Sequence, residues 1–319
     1  MTKKIGCAGI IVEDNFCGPM RELPREGQLL AIDGMPIKAG GCAANVAIDL
    51  VRQGLSVDVL GCLGNDSSAD VLLGCLESQG VGCEHVTRTA QYPTSKTVIL
   101  LVEGQDRRYI HVFGANRAFT IGHIKRDWIE SLDIFYLGGL YILPAIKTGE
   151  LLDLLKYCRS RKITTVVDVV MPQTWSGFEE LKPLLPEIDY FLPNNDEAKL
   201  ITGLDDPLDQ LRAIQAAGAN AVIVTQGKAG AVAARGGSYW QCGTYPATVV
   251  DPSGSGDAFS SGIITGIRRG WDMPQILRYA SALGASATRA VGTTDGVFTA
   301  SEAESFVAAH PLPVATGTL

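Results

Sequence analysis

The 319-residue chain contains no CxxC pair, no HExxH motif, no stretch approaching 18 apolar residues and no long run of lysine or arginine. Each absence removes a class of protein. The eight cysteines stand at 7, 17, 42, 62, 75, 83, 158 and 242. They are too scattered for a disulfide framework and read as reduced, mostly buried thiols. His85, His111, His123 and His310 make no Cys/His cluster, so no zinc site is expected. No segment is apolar enough to span a membrane. The N-terminus has two lysines and then eight weakly apolar residues before Glu13 and Asp14, too short a core for a signal peptide. A cytoplasmic protein is therefore expected. A formal charge of −7 disfavours nucleic acid and anionic membranes as partners. The 36 glycines follow no G-X-Y period, which excludes collagen. With 46% hydrophobic and 19% charged residues the chain is not a disordered one.

What is present is an alternation of strand and helix signals. Ile5–Val12 reads as a buried strand, Ala43–Gln53 as a helix ending before Gly54, and Val57–Leu63 as a strand. Asp66 is positioned to cap a helix running to about Gln79. Short β-branched and aromatic runs follow at Ile134–Leu137, Ile163–Val169, Tyr190–Leu192 and Ala221–Thr225, separated by helical patterns such as Glu150–Arg159 and Leu208–Ala217. That rhythm implies βαβ units and a parallel sheet covered on both faces, an α/β fold. Two segments break it. Thr97–Phe113 reads as an antiparallel hairpin around Glu103–Asp106, and Gln28–Lys38 as an edge strand interrupted by Pro36. The economical arrangement is one domain, residues 1–319, with a small β lid built from insertions at about 13–40 and about 92–116. The tail from Pro311 reads as loosely held.

Three local patterns carry chemistry. In Val249–Phe259 an apolar pair reads as a strand end, a Gly/Ser loop follows, and a helix runs to about Arg269. Backbone N–H groups of Gly254, Ser255 and Gly256, with the helix N-terminus, make an anion hole. Asp257, in the first turn, is either a carboxylate favoured by the helix dipole or a base that takes a proton from an attacking hydroxyl. The pattern is not a Walker loop, since G-x4-G-K-[ST] is absent, and Gly254-x-Gly256 lacks the third glycine of a dinucleotide fingerprint. In Lys38–Asn45, paired Gly40 and Gly41 open a helix, with Asn45 one turn in, where it can hydrogen-bond a polyol or simply follow a glycine turn. Asp14, after the first strand, is placed to accept hydrogen bonds from sugar hydroxyls. In Leu192–Glu197, Asn194 and Glu197 stand three apart at a helix start. They suit a hydrated Mg²⁺, and equally a capping box.

Taken together, these motifs resemble the ribokinase (PfkB) family of carbohydrate kinases, over nearly the whole chain. Gly40–Asn45 is similar to the family's first signature, Asp251–Gly262 to its second, Asn194-x-x-Glu197 to its metal-organising motif, and Thr225–Gln226–Gly227 to the strand end bordering the nucleotide. The resemblance implies a ribokinase-like fold with a β-sheet lid and ATP-dependent phosphorylation of a sugar hydroxyl. It implies that Asp257 is the base and that the Gly254–Asp257 backbone holds the transferred phosphoryl group. Asn194 and Glu197 would organise Mg²⁺, partly through water. Asn194, Thr225, Gly227 and Gly256 would border ATP. Asp14, Gly40, Gly41 and Asn45 would hold the sugar, with Asn116 also reaching it. Asp251 and Ser253 fall where many members bind a monovalent cation, usually K⁺.

The chain departs from the family pattern at Pro252 and Ser255, where threonine and alanine are common. Cys42 stands where some ribokinases have lysine, which argues against ribose itself. Ala280–Ser281–Ala282 occupies a region that often supplies Asn or His to adenine, so the adenine contacts stay open. Arg107, Arg108 and Arg117 are candidate cations for a sugar phosphate. A nucleoside or sugar-phosphate kinase, a non-catalytic sugar sensor and a Rossmann dehydrogenase are the alternatives. The exposed strands of the lid would be covered by a homodimer.

Overall fold

The structure, a computed structural model, describes residues 4–105, 107–172, 175 and 177–319. Strand β1 (Lys4–Gly9) stops short of the expected Val12. Gly9 sits at φ 141° against the Gly138 carbonyl, where an added Cβ would lie 2.1 Å from the oxygen. The chain turns there and enters a different sheet through β2 (Val12–Met20) and β3 (Ile37–Gly40). Of the expected strand at Gln28–Lys38 only the end forms. Residues 28–36 carry no strand and lie almost wholly exposed, with Asp33, Gly34 and Pro36 as breakers.

Helix α1 (Cys42–Arg52) starts after Gly41, whose φ of 89° suits glycine. The next apolar run splits at Gly61 into β4 (Val57–Leu60) and β5 (Cys62–Gly64), and α2 (Ser67–Ser78) is capped by Asp66, which accepts from the Ala69 amide. β6 (Thr87–Thr89) pairs with β5 in a two-stranded sheet. β7 (Lys96–Val102) and β8 (Arg108–Val112) form the expected antiparallel hairpin, whose turn residue Asp106 lies outside the described residues. The alternation then continues through α3 (Arg126–Glu130), β9 (Leu132–Leu140), α4 (Thr148–Ser160), β10 (Thr164–Val169), α5 (Phe178–Leu181), β11 (Tyr190–Leu192), α6 (Asn195–Thr202), α7 (Pro207–Ala216) and β12 (Ala221–Thr225). The chain closes with β13 (Ala231–Arg235), β14 (Ser238–Cys242), α8 (Ser255–Arg269), α9 (Met273–Ala287), α10 (Ala300–Ala309) and β15 (Val314–Thr318).

Nine strands make the main sheet in the order β15-β14-β13-β12-β11-β10-β9-β1-β4. β4 through β12 pair in parallel and β12 through β15 antiparallel. Two corrections follow. The tail beyond Pro311 is not loose, because β15 completes the sheet edge by pairing Val314 with Cys242 through Thr318 with Ser238. Val249 and Val250 end no strand, and both are exposed beside the loop that leads to α8.

The period of the strands sorts the core into two layers. Ile134 and Tyr136 enter one apolar cluster with Ile5, Val46, Leu50 and Ile263, while Phe135 and Leu137 enter the other with Leu151, Leu155 and Leu211. Both faces of the sheet are thus covered by helices, the ribokinase-like α/β architecture. The separate four-stranded sheet, in the order β3-β2-β7-β8, stands off the carboxyl ends of the parallel strands. All eight cysteines are unpaired, four buried and four partly buried. Among the described residues no helix is long and apolar enough to cross a membrane.

Candidate active site

The loop before α8 is shaped by its contacts with a distant turn. Gly254 is the N-cap, in the left-handed region at φ 76°, and a Cβ there would lie 1.9 Å from the Thr293 carbonyl oxygen. Only glycine fits that position. The amides of the first helical turn have no intrahelical acceptor, and Ser255 N makes only a long 3.4 Å bond to the Pro252 carbonyl. These free amides and the helix dipole have the arrangement expected of the anion hole. Pro252 precedes it and removes none of those donors.

Asp257 stands at the edge of this hole. Asn45 Nδ2 donates to Asp257 Oδ2 at 2.7 Å, and the Asn45 amide is oriented in turn by Thr293 Oγ1, which donates to Asn45 Oδ1 at 2.8 Å. Burial raises the Asp257 carboxyl, opposed by hydrogen bonds from Asn45 and from the Cys42 thiol. Asp14 is buried in β2, opposite Lys38 and diagonal to Gly40 of β3, and a Cβ on Gly40 would lie 1.9 Å from Asp14 Oδ2. Burial, and then the charge of Asp257, lift Asp14 to about 7 against a lowering hydrogen bond from Thr97. Asp14 and Gly40 are therefore in contact, as are Asn45 and Asp257, and the charge of Asp257 reaches Asp14. Asn116 behaves differently. It is buried, with Nδ2 donating to the Ile11 carbonyl at 3.1 Å and Oδ1 accepting from the Ile11 amide at 3.3 Å. Its amide braces the segment that leads to Asp14.

A cleft of about 1120 Å³ opens beside the hole, lined among others by Asn194, Thr225, Gly227, Ser255, Gly256, Ser281 and Gly284. The residues read as nucleotide-binding thus line one cleft. Thr225 N bonds to the Pro193 carbonyl at 3.2 Å, tying the end of β12 to the start of α6. Asn194 and Glu197 form the reciprocal capping box: Asn194 N donates to Glu197 Oε2 at 2.8 Å and Glu197 N to Asn194 Oδ1 at 2.9 Å. The capping-box reading of this pair is thus observed, and Glu197 is also a buried carboxyl lifted by burial to about 7.

Asp168, at the end of β10, is the functional candidate that sequence reading missed. It accepts from Tyr136 Oη and Ser260 Oγ, each at 3.3 Å. Burial, then the charges of Glu197 and Asp257, hold it well above the usual carboxylate range. Its one sequence signal was a lone acid at the carboxyl end of an apolar strand. The charges of Glu197 and Asp257 thus both act on Asp168. Among the described residues no three His, Cys, Asp or Glu side chains come close enough to cage a metal directly. Asp251 Oδ1 accepts from Ser253 N at 2.9 Å and Oδ2 from Gly292 N at 3.0 Å, while Ser253 Oγ is buried without a well-formed hydrogen bond.

Ligand sites at the carboxyl ends of parallel strands, where the helices present their N-termini, are the general rule for open α/β sheets. An anion hole, a carboxylate at its rim and a polar second pocket facing it define a group-transfer site of the kinase class. Residues 3–300 match the pfkB family of carbohydrate kinases, and the chain belongs to that family. It is a sugar kinase, a phosphotransferase with an alcohol group as acceptor. Among known proteins it is 29% identical over 262 residues to the ATP-dependent 6-phosphofructokinase of Thermoanaerobacterium thermosaccharolyticum, covering 79% of this chain and 80% of that one. It is 29% identical over 250 residues to the fructoselysine 6-kinase of Shigella flexneri, covering 77% and 88%. The fold is that of the Arabidopsis thaliana ribokinase solved with ribose and ATP, with a TM-score of 0.83 at 21% identity over 96% of this chain and 99% of the other.

Proposed function

We propose that the chain transfers the terminal phosphate of ATP to a hydroxyl of a small sugar or sugar acid, with Asp257 as general base. The observation that carries this reading is the 2.7 Å bond from Asn45 to Asp257, which joins the polyol pocket and the anion hole at one carboxylate. The acceptor lies against Asp14 and the Gly40–Gly41 backbone, and the triphosphate lies in the cleft with its end at Gly254–Gly256. Asp257 takes the proton from the acceptor hydroxyl as its oxygen bonds to phosphorus, and the electron pair of the broken P–O bond leaves on ADP. Most of the rate enhancement comes from alignment and charge, since phosphoryl transfer has a loose transition state.

Glu197 and Asn194, with Asp168 behind them, would hold Mg²⁺ through water, and the ion would neutralise charge on the phosphates. Asp251 and Ser253 are the groups for a monovalent cation such as K⁺, and the unpartnered Ser253 Oγ supports that assignment. The four-stranded sheet acts as a lid that keeps water from competing for the phosphoryl group. Its open face supports a homodimer. Ile37, Asn15, Val98 and Ile110 lie in one cross-strand row over all four strands, and Ile37, Val98 and Ile110 are 46%, 36% and 61% exposed. A second copy of the chain is the occupant that an exposed apolar row on an edge-bearing sheet calls for.

A sugar-phosphate acceptor is the second reading, supported by the name of the Thermoanaerobacterium relative and by Arg107 at the cleft. The other two candidate cations support it less. Arg108 bonds to Gln105 Oε1 at 2.6 Å, and Arg117 stacks over the Tyr92 ring. The test is ADP release from Mg·ATP across pentoses, hexoses, ketoses, sugar acids, sugar phosphates and nucleosides, with and without K⁺. Asp257→Asn is expected to keep sugar binding and lose about 10²–10⁴ in turnover. Unchanged turnover in that variant would remove Asp257 from the mechanism, and a silent panel with ATP still bound would favour a sensor.

A further inference from the structure

The anion hole consists of backbone amides, and the carboxyls around it are acids. A bound triphosphate brings several more negative charges, so the site needs cationic side chains that reach the phosphates. Two cations line the cleft among the described residues, Arg107 and Lys228. Lys228 belongs to the short turn Gly227–Ala229, on the wall formed by the end of β12. Arg107 comes from the connection between β7 and β8, directly before β8, and lines the cleft together with Pro252, Ser255 and Gly256.

Its placement is built. Arg107 Nε donates to the Tyr109 hydroxyl, and the guanidinium lies over the Tyr109 ring, 5.6 Å from its centroid. The same hydroxyl comes close to Ser253, in the loop just ahead of the hole, without a well-formed hydrogen bond. Tyr109 therefore stands between the lid arginine and the phosphate loop.

We propose that Arg107 binds the terminal phosphate of ATP and carries charge there during transfer, with Tyr109 as the residue that positions it. The proposal rests on the kinase reading above. In the step itself the acceptor oxygen–phosphorus bond forms, the bond to ADP breaks with its electrons leaving on ADP, and the acceptor proton goes to Asp257. Arg107 keeps its own protons and acts by charge and hydrogen bonding. A guanidinium suits this because its fork matches two phosphate oxygens, which an ammonium cannot do. The consequence is that the hairpin is part of the transfer machinery, and a lid held open leaves the phosphate chain short of one positive charge.

The experiment measures Mg·ATP and Mg·ADP affinities by calorimetry, and turnover with the best acceptor from the panel, for the wild type, Arg107→Gln, Arg107→Lys and Tyr109→Phe. Thermal melts confirm that each variant is folded. Arg107→Gln is expected to bind ADP like the wild type, to bind ATP at least tenfold more weakly, and to lose on the order of 10²–10³ in kcat. Arg107→Lys should recover part of both losses, and Tyr109→Phe should lower kcat several-fold with ADP affinity unchanged. Equal ATP affinity and kcat in Arg107→Gln would overturn the proposal while leaving the kinase reading intact. So would a loss confined to KM for phosphorylated acceptors, which would move Arg107 to the acceptor. A wild type that binds neither nucleotide would overturn the kinase reading and the proposal with it.

Discussion

Asp14 and Gly40 show how closely two residues can be fitted. A methyl group on Gly40 would enter the Asp14 carboxyl, and Gly40 has no positive φ to strain, so the only consequence of alanine there is a displaced carboxyl. Gly40→Ala is expected to raise KM for the sugar about tenfold, or ~1.4 kcal/mol, with a much smaller change in kcat and in melting temperature. Asp14 also imposes a pH dependence. Its carboxyl is raised to about 7, so it gains the charge that accepts sugar hydroxyls only as pH passes through that value. Sugar affinity should improve from pH 6 to pH 8, and Asp14→Asn should flatten the profile. Asp49 is a second case. It is fully buried one turn beyond Asn45, neither carboxylate oxygen has a hydrogen-bond partner, and burial followed by the charge of Asp257 holds its carboxyl well above the usual range. A folded-state value above the unfolded one of about 3.9 means that its contribution to stability is fully present below about pH 4 and is lost as pH rises through the folded value. Asp49→Asn should therefore melt higher than the wild type at pH 8, with the difference gone at pH 4. An unchanged difference across that range would mean that Asp49 stays ionised.

At the scale of elements, the edge of the main sheet is the part most exposed to test. β15 satisfies the outer edge of β14 over five residue pairs, and Leu312 and Val314 pack against the core cluster on that side. Removing residues 314–319 leaves the edge of β14 unpaired. The melting temperature is expected to fall on the order of 5 °C, and light scattering should detect association through the bared edge. A variant of this kind that stays monodisperse and equally stable would show that β15 is only an attachment. The N-terminus of α8 responds differently. Gly254→Ala forces the loop away from the Thr293 carbonyl, and Thr293 also orients Asn45. Turnover should collapse together with stability, because one turn shapes the anion hole and aims the amide that meets the base.

For the whole molecule the open question is what covers the lid. A homodimer predicts twice the monomer mass in light scattering at micromolar protein. Ile110→Lys, in the middle of the exposed row, should shift the protein to monomer while a folded chain persists. A wild-type monomer would leave that row open to water and contradict the dimer. Dimerisation through the lid would also link the movement of the two hairpins that carry Arg107.

The local chemistry was legible in the sequence because each motif is one turn of chain. Gly254–Asp257, Gly40–Asn45 and Asn194–Glu197 are each a few consecutive residues at a helix start, so their residue types and spacing can be read without knowing their neighbours. The alternation of strands and helices was legible for the same reason, since a period of two or of 3.6 is written in consecutive residues. What lay outside the sequence depends on separations that no local pattern records. Gly9 stops the first strand because Gly138 stands beside it, and the last residues form β15 because β14 offers an unpaired edge. Asn116 turns to the backbone of Ile11, 105 residues away, and Thr293 reaches Asn45 across 248. Asp168 becomes a member of the site only when β10 lies between β9 and β11, with Tyr136 and Ser260 bonded to it. Sequence alone named candidate groups for phosphoryl transfer. The tertiary structure decided which of them meet, because charge and burial act through space and depend on neighbours that the chain order does not name.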